Sequence, residues 1–311
     1  AGSDGYKGQA VQTAEVMKRF EPVMDEFAAD AVLVVGDVNS TIACALVAVK
    51  KGIPVIHVEA GLRSNDRAMP EEINRVLTDQ ISDLLYTTER SAEDNLAREG
   101  IALERVRFVG NVMIDTLKKH VTQATPAEET LSKITGESTS ELRQNYALLT
   151  LHRPSNVDQK ATLEPLLKTL VQVSRKIPIV FPVHPRTASK IKTFGLSELI
   201  SGANIVTTGP MGYMELLGLM SCAKMVLTDS GGIQEETTAL GVPCITLREN
   251  TERPITVEQG TNTIVGTEQQ LILDTVQEVL NTGGKQGRQP ELWDGQAAVR
   301  IARDLEQWFK D

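Results

Sequence analysis

Asp30-Ala31-Val32-Leu33-Val34-Val35-Gly36 and Pro54-Val55-Ile56-His57-Val58-Glu59 flank a twelve-residue stretch, Ser40 to Lys51. The two flanking pieces are short, apolar and rich in β-branched residues. That is the pattern of strands covered on both faces in a parallel sheet. The stretch between them has helical spacing and stops at Gly52, a residue suited to ending a helix. Strand, helix and strand make one β-α-β unit, whose right-handed crossover sets the two strands parallel.

The same alternation continues outward. Leu84–Thr88 and Val106–Gly110 read as strands, Pro70–Ile81 and Glu89–Glu99 as helices, with Pro70 at a first helical position where its missing N–H costs nothing. From His120 to Gln144 the chain is polar and lacks a strand, which marks an interdomain connection with some helix. A second series follows. Strands are expected at Tyr146–Leu151, Ile177–Val183, Asn204–Thr207, Met225–Thr228 and Cys244–Leu247, and helices at Ala161–Ser174, Met211–Cys222, Gly232–Leu240 and Glu268–Asn281. Gly295–Phe309 is amphipathic and suited to pack back on the first domain. The fold class is therefore α/β, with two Rossmann-like domains facing across a cleft. Residues 1–120, joined by a C-terminal helix at 295–311, form one domain, and residues 121–294 form the other.

Composition narrows the function. A length of 311 residues suits two domains, and 41% hydrophobic with 23% charged residues is ordinary for a folded protein. The net charge of −9 argues against a general nucleic-acid binder. No apolar run reaches 18 residues, so no membrane-spanning helix is expected. Cys44, Cys222 and Cys244 lie in apolar surroundings, which suits buried thiols in a reducing, cytoplasmic compartment. No cleavable signal pattern is read at the start. No Cys/His cluster has metal-ligand spacing and no GxSxG elbow occurs, so neither a metal site nor that type of serine nucleophile is expected.

In open α/β sheets ligands bind beyond the carboxyl ends of the strands. Asp37, Glu59, His152, His184 and Ser230 all fall there. Asp37 has an even alternative as a helix-entry cap before Asn39-Ser40-Thr41. Glu59 ends a strongly apolar run, where an unpaired glutamate is rare, although Arg63 offers a purely structural partner. Glu71 and Arg75 are four apart on one helix face and share either a solvated pair or an acid held for chemistry. His57 lies inside a strand and reads as a core residue; His120 carries no signal.

Thr228-Asp229-Ser230-Gly231-Gly232-Ile233-Gln234-Glu235-Glu236 is the most specific local signal. A strand ends, a hydroxyl and two glycines follow, and a helix starts. Small residues there let an anion approach the N–H groups at the positive helix end. This predicts a phosphate or diphosphate at Ser230, Gly231 and Gly232, with Glu236 one turn on, placed to accept from ribose hydroxyls. A tight strand-to-helix turn is the plainer alternative. The spacing is neither that of a dinucleotide fingerprint nor that of a Walker loop. Arg253, after the strand Cys244–Leu247, can grip a phosphate in two-pronged fashion.

These residues occur in the order GD (Gly36-Asp37), HVEAGLR (His57–Arg63), MPEEINR (Met69–Arg75), GN (Gly110-Asn111), LHR (Leu151–Arg153), DSGGIQEE (Asp229–Glu236) and TERP (Thr251–Pro254). Together they resemble the non-hydrolysing UDP-N-acetylglucosamine 2-epimerases, over about Gly36 to Gly266. The resemblance implies a glycosyltransferase-B-like fold and an isomerase that interconverts UDP-N-acetylglucosamine and UDP-N-acetylmannosamine. UDP is eliminated to leave a 2-acetamidoglucal, then added back. No cofactor is implied, and a homodimer is the usual family form. Asp37, Glu59, Glu71 and His152 match the family's catalytic positions. Ser230 and Glu236 match UDP contacts, Arg253 a phosphate-side arginine, and Arg75 an arginine beside the acids. The resemblance also implies an opening strand with a Gly-Thr-Arg-Pro-Glu turn and a further βα unit. Nothing here matches them, so the first domain is read as lacking its opening βα units. Two other readings use the same residues, a UDP-sugar-dependent glycosyltransferase and a non-catalytic UDP-sugar-binding module.

Overall fold

The computed structural model describes residues 8–136, 142 and 145–310. Part of the polar segment expected to connect the domains lies outside them. The chain divides into two units, Ala1–Asp115 with Glu291–Asp311, and Thr116–Pro290.

The first unit starts with α1 (Gln9–Glu26) and then alternates β1 (Val32–Val35), α2 (Asn39–Lys50), β2 (Val55–Ala60), α3 (Pro70–Ile81), β3 (Leu84–Thr87), α4 (Arg90–Arg98) and β4 (Val106–Phe108). Its described strands lie in the order β1-β2-β3-β4, all parallel. The helix α1 had no counterpart in the sequence reading. The edge strand β1 corrects it: Val32 and Val34 are buried, but Leu33 and Val35 are 45% and 47% exposed. An apolar run reports β-propensity and not the number of covered faces. Here only the face of Val32, Val34 and Val55 is packed, against Ala45 and Ala48 of α2 and against Phe20 and Met24 of α1.

The helix α5 (Val112–His120) leads into the second unit. There α6 (Ala127–Thr135) precedes β5 (Ala147–Thr150), α7 (Pro154–Val157), α8 (Lys160–Ser174), β6 (Ile179–Pro182), α9 (Pro185–Thr193), α10 (Ser197–Ser201) and β7 (Ile205–Thr208). Next come α11 (Tyr213–Cys222), β8 (Met225–Thr228), α12 (Gly231–Leu240), β9 (Cys244–Thr246), α13 (Pro254–Glu258), β10 (Asn262–Ile264) and α14 (Gln269–Thr282). The sheet order is β10-β9-β8-β5-β6-β7, again all parallel. The order reverses between β5 and β8, and that switch point is where an open α/β sheet leaves a crevice at its carboxyl end. Leu149, Leu166, Phe181, Leu227 and Ile272 join one core on which these strands are fixed. Fully burying a side chain of that size stabilises by about 1.5–3 kcal/mol.

The last helix, α15 (Ala297–Trp308), belongs to the first unit. Ile301 packs with Ile56, Val58, Leu84 and Tyr86. Tyr86 donates a hydrogen bond to Asp304 (2.9 Å), and the Asp115 carboxylate accepts from the first amides of the helix, those of Ala297 and Ala298. Among the described residues no helix is long and apolar enough to cross a membrane.

Candidate active site

In the first unit the polar residues cluster where β1 and β2 end and α3 begins. Asp37 follows β1 at once. Its carboxylate accepts from Nη2 of Arg75, and its carbonyl accepts from the Asn74 amide at 2.9 Å. Arg75 is only 2% exposed, and its other nitrogen reaches Glu72 at 2.5 Å. The spacing argument paired Arg75 with Glu71; the structure pairs it with Glu72 and Asp37. Three and four residues along a helix are both neighbours, and tertiary contacts decide between them. Glu72 is drawn inward because its carboxylate also accepts from the backbone N–H groups of Ser64 and Asn65. Glu71 instead lines a cavity of about 240 Å³ with Gln9, Gln12, Val38, Asn39 and Asn74.

Glu59 sits in a left-handed backbone conformation with φ 74°. The register of β2 on β3 slips between Val58 and Ala60, so Glu59 is the extra residue of a bulge. Such a conformation costs a non-glycine residue on the order of 1–3 kcal/mol and is kept where surrounding contacts over-determine it. The bulge aims the carboxylate over Gly36, where a Cβ would lie 3.9 Å from Oε2. Asp37 and Glu59 are thereby brought to adjoining strand ends. Arg63 is not the structural partner that the sequence offered for Glu59. It turns to Asp79 (2.7 Å) and to Glu99 (2.6 and 2.8 Å). Burial opposes the Arg63 charge, but the bonds to Glu99 and Asp79 outweigh it and push its pKa up.

In the second unit the strands beside the switch point carry His152 and Ser230. Asp229, fully buried, accepts from the backbone N–H of His152 (3.0 and 3.1 Å) and of Arg153 (2.9 Å), and from the Asn156 amide (3.2 Å). The same carboxylate lies 3.1 Å from His152 Nδ1. That fixes the ring and leaves Nε2 for proton exchange. His184 stacks at a tilt beside it, ring centroids 5.7 Å apart. Burial, together with the charges of His152 and Arg186, pushes the His184 pKa down.

Ser230 is the N-cap of α12, but its side chain makes no capping bond, and the first turn holds no acidic residue. Gly231 lies in that turn with Gly232 beside it. A Cβ on Gly231 would come within 2.4 Å of Glu252 Oε1, so any larger residue there must displace Glu252. Glu252 is ringed by cations. It accepts from Arg248 at 2.8 Å and from Arg153 at 3.3 Å. Burial works against its charge, yet Arg253, Arg248 and Arg153 together hold the carboxyl far below its ordinary range. Arg253, 7% exposed, lies with Nε 2.9 Å from Glu235 Oε1. Glu236 accepts from the Tyr213 hydroxyl at 2.9 Å; burial pushes its pKa up, with the Tyr213 bond opposing.

Sequence reasoning gave no role to Asp229, Arg153, Arg248, Glu252 or Tyr213. Asp229, Arg153 and Glu252 were inside quoted motifs, so adjacency to His152, Ser230 and Arg253 was an available signal. Arg248 directly follows the expected strand Cys244–Leu247, a strand-end position like that of Asp37; Tyr213 carried no signal. The three cysteines are free, Cys244 buried and the others half-buried. Among the described residues no group of His, Cys, Asp and Glu is placed to hold a metal ion.

Two parallel sheets with interleaved helices, the second reversing its strand order at a switch point beside a glycine-rich strand-to-helix turn, define an α/β protein of the glycosyltransferase-B type. Residues 2–306 match the family model described as UDP-N-acetylglucosamine 2-epimerase. The protein of that name from Methanococcus maripaludis is 42% identical over 277 residues, 87% of this chain and 74% of that one. The one from Methanocaldococcus jannaschii is 42% identical over 297 residues, 94% of this chain and 80% of that one. The crystal structure of the M. jannaschii UDP-GlcNAc 2-epimerase with UDP-GlcNAc and UDP superposes with TM-score 0.88 at 40% identity, covering 99% of this chain and 82% of that one. The chain belongs to the UDP-N-acetylglucosamine 2-epimerase family.

Proposed function

We propose that this chain interconverts UDP-N-acetylglucosamine and UDP-N-acetylmannosamine. The observation that carries the reading is the likeness, over nearly the whole chain, to the M. jannaschii enzyme that holds UDP-GlcNAc and UDP. In the forward direction a base takes the C2 proton, the C1–O bond breaks, and UDP leaves with the electron pair. The resulting 2-acetamidoglucal takes a proton at C2 on its other face, and a UDP oxygen adds back to C1. The net change is inversion at C2, with no oxidant, reductant or water consumed.

The roles divide among the residues described above. Asp37, Glu59 and Glu71 supply proton transfer at C2, with Arg75 fixing Asp37. His152, its Nδ1 held on Asp229, donates and recovers a proton at the leaving group. Positioned groups of this kind contribute about 10²–10⁴-fold each. The amides of Gly231 and Gly232, the Ser230 hydroxyl and Arg253 hold the diphosphate. Donors fixed in advance where charge develops are the largest usual source of rate. Glu236 accepts from the ribose hydroxyls. The same reading makes the working protein a cytoplasmic homodimer that acts on free nucleotide sugar, without metal or redox group, nucleic acid or membrane.

Turnover of UDP-GlcNAc in deuterated water, followed by proton NMR, tests the reaction. Epimer carrying deuterium at C2 is the expected product. Retention of the original C2 hydrogen, or product only when an acceptor alcohol is added, would reject it.

A further inference from the structure

Among the described residues His57 is the one histidine with no exposed surface, and no step above uses it. It lies in β2, two residues before Glu59. Its Nδ1 is 2.6 Å from Asp79 Oδ1, and its Nε2 is 2.9 Å from the carbonyl oxygen of Gly36. Both of those partners are acceptors. A neutral imidazole carries one N–H and one bare lone pair, so one contact would set lone pair against lone pair with no water to relieve it. With Asp79 a carboxylate beside the Arg63 guanidinium, only the doubly protonated ring satisfies both.

The two partners also define what the ring holds. Gly36 has φ 69° and turns the chain into Asp37. Asp79, fully buried on α3, accepts at the same time from the backbone N–H of Gly61 (3.1 Å) and from Arg63 (2.7 Å). Gly61 has φ 80°, and its N–H directly follows the Glu59–Ala60 bulge. The ring therefore ties the turn before Asp37 to the chain after Glu59. The charged groups around it are Asp79 with Arg63 behind it, and Glu59 on its own strand. Asp79 and Glu59 both favour the ring's positive charge against the cost of burial.

We propose that His57 is a positioning residue, held as a buried imidazolium between Gly36 and Asp79, that sets Asp37 and Glu59 in register for proton transfer at C2. The catalytic half of this statement rests on the epimerase reading; the charge and the tie do not.

The test uses the full chain with ¹⁵N-labelled histidine at pH 7.5. Ring nitrogen shifts should show both His57 nitrogens protonated, with the signal assigned by its loss in H57N. One bare nitrogen would overturn the proposal whatever the activity. H57N keeps a donor toward Asp79 but loses the charge and the bond to Gly36. Its backbone amide signals from Gly36 to Gly61 should shift or broaden while those of Ser230 to Gly232 stay. Scaled to the UDP-binding fraction, its kcat should fall at least 30-fold, with KM for UDP-GlcNAc and Kd for UDP within threefold of the parent. Unchanged amides around Gly36, or an undiminished kcat, would refute the positioning role. If H57N does not fold, the His57 signal is assigned by elimination from H120N, H152N and H184N, and the ring shifts of the parent still decide the charge. A parent that does not epimerise refutes the reaction, while the ring shifts and amides still judge His57.

Discussion

His152 Nδ1 faces Asp229 Oδ1 at 3.1 Å, and that carboxylate is itself pinned by the backbone amides of residues 152 and 153. The imidazole tautomer and the loop that carries it are thus set by one buried group. Asp229→Asn keeps the volume but replaces an acceptor oxygen with a donor amide. One of its contacts must then place donor against donor, or the ring must take the other tautomer. We expect kcat to fall by about 10²–10⁴-fold with the UDP dissociation constant within threefold of the parent. Steady-state kinetics with calorimetry of UDP checks both halves.

Glu252 holds three arginines together at the start of α12. Its folded pKa lies below the ordinary value of 4.5, because Arg253, Arg248 and Arg153 overcome the opposing effect of burial. A depressed carboxyl contributes stability that is whole above its unfolded pKa and is lost as pH falls through the folded value. Glu252→Gln should therefore cost about 3–5 kcal/mol at pH 7, the usual penalty for stranding a buried partner. The gap to the parent should narrow once pH drops below 4.5. Urea titrations at pH 7 and at the lowest pH where the parent stays folded would show it; an equal gap at both would contradict the assignment.

Gly231 bears directly on ligand affinity. An added Cβ would fall 2.4 Å from Glu252 Oε1, and Glu252 cannot retreat without loosening its arginines. Overpacking of this kind costs about 1–3 kcal/mol. Gly231→Ala should weaken UDP binding at least tenfold and leave the far side of the same sheet unaltered, as read by calorimetry and by the amide signals of β6 and β7.

Glu236 gives a pH signature to binding. Burial raises its pKa and the Tyr213 hydroxyl opposes the rise. If the carboxylate form accepts from ribose, UDP affinity should fall as pH drops through that raised value. Tyr213→Phe removes the opposing bond, so the midpoint of the affinity profile should move to higher pH. A profile that moves down, or does not move, would argue against Glu236 as the ribose acceptor.

What the sequence made legible follows from the range of each interaction. Strands such as Met225–Thr228 and helices such as Pro70–Ile81 rest on local apolar period and on caps, and they fall where expected. The strand β10, Asn262–Ile264, was missed because three residues at a sheet edge carry no apolar run. The helices α7 and α13 were missed because four and five residues are too few to show an apolar period, and α9 because its stretch PRTASKIKT is mostly polar. The candidate acids were legible as polar residues at strand ends. Their partners were not: Arg75 reaches Asp37 across 38 residues, and His57 reaches Asp79 across 22. No spacing rule covers pairs made by the fold itself.

The conformation of Glu59 separates function from stability most sharply. Its φ of 74° is one that asparagine tolerates well and β-branched residues resist. A carboxylate kept there at a cost on the order of 1–3 kcal/mol is not selected for local backbone comfort. Glu59→Asn should therefore reduce kcat at least 100-fold while costing less stability than a β-branched replacement, because asparagine keeps the left-handed backbone and loses only the carboxylate's contacts. Glu59→Val should lose activity and also about 1–3 kcal/mol of stability, because the branched Cβ clashes in the left-handed region. Paired urea unfolding and turnover measurements on the two variants read both effects. An Asn variant less stable than the Val variant would mean that the carboxylate holds the bulge, rather than the bulge presenting the carboxylate.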